Sequence, residues 1–380
     1  MQIAVMGGGL QGVEICMLAK KAAWNVILFD KSSSAPAAGL ADRFIQFDIE
    51  TLSKKIDLQI KEILSNADIV IPALECGSAL NILTEYCELN NIPLAFDKTA
   101  YAVSSSKVNS QKFFEQCASP IPSPAVNKEC IKYPLIAKPS KGSGSKGVKL
   151  LRSERELYSY LPLGLESRDW IIESFCPGRQ FSMEICGTPG NYSVFQLTEL
   201  LMDDVFDCRA VLAPAGEKEL EFTVAAEIRK LAENLNLHGI MDIEVVKTEN
   251  GFKVLEIDAR FPSQTPLTVF YSTGVNLLEH FVASFIEYQP KMKKRNEPVR
   301  HAEYFHMAYK NGEIFFPGEH SLSQAGPLRI LTSVPGTCEV LIGGFLEKKE
   351  WSAVLFFCAE SREQLEKDKS IALDYLTNIA

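Results

Sequence analysis

The chain has no C-x-x-C pair among its ten cysteines, no excess of positive charge, and no apolar run long enough to cross a bilayer. It also lacks internal repeats and low-complexity tails. Each absence excludes something. Scattered cysteines without a signal sequence read as reduced, mostly buried thiols in a cytoplasm. A formal net charge of −9 excludes general affinity for nucleic acid or an anionic membrane, yet leaves room for one basic pocket. The missing apolar span excludes a transmembrane helix. No G-x-x-x-x-G-K-[ST] run occurs, so there is no Walker-type phosphate loop. What is present is ordinary for a globular protein. The chain has 380 residues, 46% of them hydrophobic and 23% charged, enough for two or three domains with real cores.

Residues 3–6 predict a short apolar strand. It runs into Gly7, Gly8, Gly9, Leu10, Gln11 and Gly12, then a helix carrying Val13, Cys16, Met17 and Leu18. A second strand over 26–29 ends at Asp30. This fits G-x-G-x-x-G with an acid at the next strand end and, taken alone, suggests a dinucleotide site and an NAD-dependent dehydrogenase. Glycine for close strand–helix packing explains it equally well. Further strands over 44–47, 68–72 and 92–96, with a helix over 78–89, make an open α/β sheet. Its ligand edge would gather Leu10, Gln11, Asp30, Asp48 and Glu75, a pocket suited to an amine. Each acid alone is more often a helix cap.

From residue 97 the pattern changes. Lys107 precedes a helix ending near Cys117, and the proline-rich loop over 119–124 reads as a hinge. A strand over 133–137 delivers Lys138 to a loop containing Ser140, Gly142, Ser143, Gly144, Ser145 and Gly147. Its amides suit phosphate and its flexibility suits a closing lid; a plain flexible hairpin is the bland alternative. Ser153 to Glu156 forms a capping box. The segment 170–175, with Glu173, Ser174 and Phe175, offers backbone groups to an adenine edge. Gln180 follows, then a strand with Ser182 and Glu184 on one face. Strands over 192–202 and 206–212 carry Asp207, and 219–235 is an amphipathic helix.

Residues 241–266 organise the rest. They read as two strands joined at Glu249, Asn250 and Gly251. Glu256, Asp258 and Arg260 alternate on one face of the second strand, and Asp242 and Glu244 alternate on the first. A three-residue loop sets Asp242 opposite Asp258 and Glu244 opposite Glu256; a two-residue turn puts the two sets on opposite faces. Carboxylates in that array suit Mg²⁺, and the arginine suits phosphate or carboxylate. A solvated strand face is the alternative for an isolated hairpin of this kind. A helix over 274–288 follows. Strands over 314–316, 339–342 and 353–357 and a helix from Arg362 complete the chain, with no chemistry evident beyond packing.

The ordered set of Lys107, Lys138 with its glycine loop, I-I-E-S-F-x-x-G from Ile171 to Gly178, Asp242 and E-x-D-x-R from Glu256 to Arg260 resembles the ATP-grasp superfamily, which includes D-alanine–D-alanine ligase and biotin carboxylase. The resemblance covers nearly the whole chain. It departs at Asp258, where most members have asparagine, and at Gln180, where relatives often carry a ribose-binding glutamate. It implies an α/β (α+β) ATP-grasp fold behind a half-Rossmann domain. The expected boundaries are 1–97 for the Rossmann-like domain, 98–290 for the ATP-grasp domain with its lid at 119–177, and 291–380 for a segment completing the core.

The resemblance further implies ATP held by Lys107, Lys138, the 140–147 loop, Glu173 to Phe175 and Gln180, and Mg²⁺ held by Asp242, Glu256 and Asp258. Arg260 and Lys138 take catalytic roles. Gly9-Leu-Gln-Gly12, Asp207-Cys208, Gly239-Ile-Met-Asp242 and the run from Glu256 to Pro266 are similar to the branch of pyrrolysine biosynthesis that joins 3-methyl-D-ornithine to the ε-amine of L-lysine. That similarity implies lysine at Leu10, Gln11 and Glu75, and the ornithine at Glu184, Asp207, Ser263, Gln264 and Thr265, with Arg260 binding substrate and stabilising the acyl phosphate and the oxyanion that follows. Homodimers are common in the superfamily. A different acid and amine, as in other ATP-grasp ligases or carboxylases, is the alternative. No residue stands out as acceptor of the amine proton.

Overall fold

The computed structural model describes residues 1–52, 58–125, 131–142, 144–291, 299–345 and 350–379, and its strands fall into three sheets. The first is parallel, in the order β3-β2-β1-β4, from β1 (Gln2–Met6), β2 (Asn25–Asp30), β3 (Arg43–Gln46) and β4 (Ile69–Pro72). Its helices are α1 (Leu10–Ala22), α2 (Leu58–Ser65) and α3 (Gly77–Asn90). The segment expected as a fifth strand over 92–96 makes only one bridge, Val70 to Leu94. Pro93, which has no N–H to donate, limits that pairing.

Two short helices, α4 (Lys98–Ser104) and α5 (Lys107–Gln116), lead to a second, antiparallel sheet in the order β6-β5-β7. It comprises β5 (Leu135–Pro139), β6 (Lys149–Leu151) and β7 (Trp170–Ser174), with α6 (Glu154–Tyr160) between the last two. Ser153 Oγ caps α6 by accepting the Glu156 N–H at 3.2 Å, as the sequence predicts.

The third sheet has eleven strands, all of its pairs antiparallel, and supplies the platform of the site. Its first half contains β8 (Gln180–Thr188), β9 (Asn191–Val194), β10 (Thr198–Met202), β11 (Cys208–Ala213), β12 (Gly239–Thr248) and β13 (Gly251–Asp258). The strand expected over 192–202 is therefore two strands. Helix α7 (Lys218–Leu235) covers this part with Leu220, Val224, Ile228, Leu231 and Leu235, a buried stripe at helical spacing. Helix α8 (Thr265–Thr273) ends at Gly274, whose φ of 77° stops it. Helix α9 (Leu277–Ala283) is thus the remnant of the single helix expected over 274–288.

Beyond residue 300 the same sheet continues through β14 (His301–Lys310), which pairs with β11 and went unread in the sequence. Then come β15 (Glu313–Phe315), α10 (His320–Ser323), β16 (Arg329–Leu331), β17 (Glu339–Phe345), β18 (Glu350–Ala359) and α11 (Arg362–Ile379). A disulfide joins Cys338 to Cys358, with Cα atoms 6.3 Å apart. This corrects the expectation of wholly reduced cysteines. Register rather than spacing brings the two together, because Glu339 pairs with Phe356. Among the described residues no helix is long and apolar enough to cross a membrane.

Helix α1 is buried along most of its length, packed between the first sheet and helices α8 and α9. Its one buried acid, Glu14, accepts the N–H of Leu267 at 3.0 Å in the first turn of α8. Burial raises the Glu14 pKa from 4.5 to about 8. A carboxyl raised on folding is least costly below its unfolded pKa and destabilises progressively as pH climbs toward the folded one. E14Q should therefore gain stability relative to the natural chain between pH 5 and pH 8. Urea midpoints at both pH values test this, and an unchanged difference would refute it.

Candidate active site

Residues 242–260 form the antiparallel ribbon expected, with Asp242 opposite Asp258 and Glu244 opposite Glu256. The reason differs from the expected one. Thr248 pairs with Gly251, so the turn is the two-residue kind that should have separated the acids. A β-bulge at Leu255 shifts the register back by one, because Val245 pairs with Val254 while Glu244 pairs with Glu256. Strand β8 adds Glu184 beside Asp242 and Ser182 beside Glu244. Two rows result: Glu184, Asp242, Asp258 and Ser182, Glu244, Glu256.

Like charges set opposite one another are unfavourable, and these are also largely shielded from water. Burial, followed by the repulsion of Asp258, raises Asp242 well above the usual carboxylate range. Burial and Glu256 push Glu244 to about 8. Asp258 rises to about 7 because burial outweighs the attraction of Arg260. Glu184 is fully buried, and burial raises it to about 7 against the opposing pull of the Thr265 side chain. Glu256 is the exception. Burial would raise it, but Lys107 and then Lys138 hold it below its ordinary value.

A cleft of about 760 Å³ separates this ribbon from the β6-β5-β7 sheet. Lys107, Lys138, Gly142, Ser145, Lys146, Glu173, Ser174, Phe175, Gln180, Glu244 and Glu256 are among its walls. Lys107 Nζ lies 2.9 Å from Glu256 Oε2 and donates to the Gly142 carbonyl at 2.9 Å, linking ribbon to glycine loop. The loop is moored at its start, where Ser140 O accepts the Lys107 N–H at 2.8 Å. Gly142, Gly144, Ser145 and Gly147 all have positive φ, which glycine takes without strain. Ser143 lies outside the described residues. The segment expected as an adenine-facing linker, 170–175, is β7 itself except for Phe175, which follows the strand. Glu173 pairs with Lys138 at 2.7 Å, both side chains being about nine-tenths buried. Both lysines are thus neutralised by carboxylates that a nucleotide's phosphates could replace.

Two polar chambers adjoin the cleft. One, of about 650 Å³, is lined by Asp207, Asp242, Glu244, Glu256, Asp258, Arg260, Ser263, Gln264, Thr265 and Glu319, among others. The other, of about 740 Å³, contains Leu10, Gln11, Glu75, Lys146, Arg260, Ser263, Glu319 and His320. Arg260 stands in both. Its Nε lies 2.8 Å from Glu75 Oε1 and its Nη2 2.9 Å from Asp258 Oδ2, while Gln11 Nε2 donates to Glu75 at 2.9 Å. Gln264 holds a strained φ of 70° and donates to Glu319 at 2.6 Å.

Three expected ligand residues, Asp30, Asp48 and Glu184, fall outside both chambers. Asp30 accepts the N–H groups of Gly8 and Ser32, each at 2.7 Å. Asp48 caps a 3₁₀ turn through the Glu50 N–H. Their oxygens are committed to backbone amides, which also weakens the dinucleotide reading, since the acid that would take a ribose is engaged. Glu184, on β8 beside Asp242, is fully buried and forms part of neither chamber's wall. Conversely, Glu319 and His320 were missed. They occupy a turn with no periodicity, and the sheet beyond residue 300 carries them to the site.

Among the described residues no three carboxylate, imidazole or thiol side chains converge to cage an ion unaided. Mg²⁺ does not require that, because it keeps waters and takes one or two carboxylates together with substrate phosphates. The residues fit such an ion. They offer oxygen donors alone, carry more negative charge than the lysines offset, and include Asp242 Oδ1, buried without a partner among the described residues.

Residues 104–264 match the ATP-grasp domain family, and residues 3–92 match the PylC-like N-terminal domain. The N5-carboxyaminoimidazole ribonucleotide synthetase in its ADP complex superposes with a TM-score of 0.71 at 17% identity, covering 99% of this chain and 97% of its own. Biotin carboxylase of Campylobacter jejuni gives 0.73 at 15%, covering 98% and 91%. The chain belongs to the ATP-grasp family and is an ATP-dependent, ADP-forming ligase that works with Mg²⁺. It is similar along its length to two 3-methyl-D-ornithine–L-lysine ligases. That of Methanosarcina acetivorans is 32% identical over 98% of this chain and 96% of its own, and that of Methanosarcina mazei 33% over 98% and 95%.

Proposed function

We propose that this protein joins the carboxylate of 3-methyl-D-ornithine to the ε-amine of L-lysine, as its relatives are named for doing, in pyrrolysine biosynthesis. The observation that carries the reading is the pair of polar chambers meeting at Arg260, one of them open to the lysine-lined cleft through Glu244 and Glu256. Lys107 and Lys138 bind the triphosphate, exchanging their present carboxylate partners for phosphate oxygens. The 140–147 loop closes over it and keeps water from the reacting phosphorus. Glu173 to Phe175 and Gln180 border the nucleoside. Asp242, Glu256 and Asp258 would hold Mg²⁺, which when bound neutralises charge on the phosphates.

The acid occupies the chamber with Asp207, Ser263, Gln264 and Thr265, where carboxylates match its amines. Its carboxylate attacks the γ-phosphorus, the bond from that phosphorus to the bridging oxygen breaks, ADP leaves with the electron pair, and the acid becomes an acyl phosphate. Arg260 stabilises that species and the oxyanion formed when the amine attacks. The amine enters through the chamber of Leu10, Gln11 and Glu75. The deciding experiment is mass spectrometry of the product from ATP, lysine and a panel of ornithines. An amide of lysine with a D-ornithine is expected; product from bicarbonate, or from another acid in preference, would refute the substrate pair.

One nucleotide contact is tested alone. K138A removes a charged donor and leaves Glu173 buried without its partner. Loss of a charge-assisted hydrogen bond should weaken ADP binding about 10- to 100-fold by calorimetry. Unchanged affinity would remove this lysine from the nucleotide site.

A further inference from the structure

We propose that His320, held by Asp207, accepts the proton that the incoming ammonium must lose before it can attack. This deepens the reading above and rests on it. His320 Nδ1 lies 2.9 Å from Asp207 Oδ2, and the same oxygen faces the His320 backbone N–H at 3.4 Å. Donation from Nδ1 to the carboxylate leaves the lone pair on Nε2, the arrangement a general base needs. Asp207 lines the acid chamber and His320 the amine chamber, so the pair bridges the two substrates.

Two glycines make that arrangement possible. A Cβ on Gly318 would fall 2.0 Å from Asp207 Cγ, so only glycine lets the turn wrap this closely around the carboxylate. A Cβ on Gly144 would stand 3.3 Å from His320 Nε2 and 3.0 Å from Glu319 Oε1. The tip of the glycine loop therefore lies directly over the imidazole. The other charged groups facing the imidazole are Glu319 on its own turn, Lys146 on the glycine loop, Arg260 after β13 and Glu75 after β4.

A lysine ε-ammonium has a pKa near 10.4 and is charged at neutral pH. One N–H proton passes to Nε2. The freed nitrogen pair then forms the bond to the acyl carbon. The carbon–oxygen bond to phosphate breaks, phosphate leaves with that electron pair, and it takes the second nitrogen proton. Hydroxylamine, already neutral at pH 7, attacks the same acyl phosphate without needing the base.

The test compares the natural chain with H320Q and D207N, using ATP and D-ornithine with either lysine or hydroxylamine as acceptor. In both variants kcat/KM for lysine should fall about 10²- to 10⁴-fold, the usual contribution of a general base. In H320Q the lysine rate should track the free-amine fraction, climbing with pH toward about 10.4. Hydroxylamine should rescue H320Q, and the rescue also shows that it folds; D207N, which also loses a contact to the ornithine, should lose amide formation further than hydroxamate formation. A full lysine rate in H320Q, or hydroxamate formation falling in parallel with amide formation in H320Q, would overturn the assignment. If the natural chain makes no hydroxamate from any ornithine, the proposed function itself fails and takes this inference with it.

Discussion

E256Q should lose about 10²- to 10³-fold in kcat for ADP formation while keeping its fold and its affinity for ADP. The argument begins with the register. Glu256 stands opposite Glu244 at the edge of the nucleotide cleft, with its side chain 26% exposed. Glutamine keeps the volume and one carbonyl oxygen but removes the charge that would pair with Mg²⁺. Losing one preorganised charge at a transition state of developing negative charge typically costs that much. Stability should change little. The variant loses the ion pair with Lys107 but also the repulsion from Glu244, and the melting temperature should stay within a few degrees. Lys107 is released to the phosphates, so ADP binding should hold while turnover collapses. A coupled ADP assay with a thermal melt reads both, and retained turnover would remove Glu256 from the metal site.

R260K should be almost as damaging, at a different step. The guanidinium spans Glu75 and Asp258 with two of its nitrogens while facing both chambers. Burial would lower its pKa, but Asp258 and then Glu75 raise it, so it stays charged. An ammonium keeps the charge but cannot make both contacts in a planar fork. Amide formation should drop about 10²- to 10³-fold, with more ATP hydrolysed per amide made, because the acyl phosphate forms but is poorly held. R260A is less informative. It removes a partner of Asp258 and one partner of Glu75 at once, which confuses stability with catalysis. An R260K enzyme with an unchanged ratio of amide to ADP would place the arginine outside the acyl-transfer step.

What the sequence disclosed follows its periodicities. Glu256, Asp258 and Arg260 share a face because strand side chains alternate, and Lys107 and Lys138 are legible because each borders an element end or a glycine loop. The bulge at Leu255 left no mark in residue type, so the correct register was reached through an incorrect turn. Asp30 and Asp48 looked available because their amide partners are set by tertiary structure. Nothing local marks Glu14, because the amide that it accepts, that of Leu267, lies 253 residues away. Asp207 and His320 are 113 residues apart. Only the added strands from β14 onward bring them together, and no local pattern announces it. The Cys338–Cys358 disulfide was hidden for the same reason, being a product of strand register.

The most direct measurement is a crystal structure with a non-hydrolysable ATP analogue and Mn²⁺, with the ion located by its anomalous scattering. The expected result is a peak bridging the triphosphate and the carboxylates of Glu256 and Asp258, with the 140–147 loop closed above it. A peak away from the ribbon, with those two acids turned to solvent, would contradict the assignment of this site.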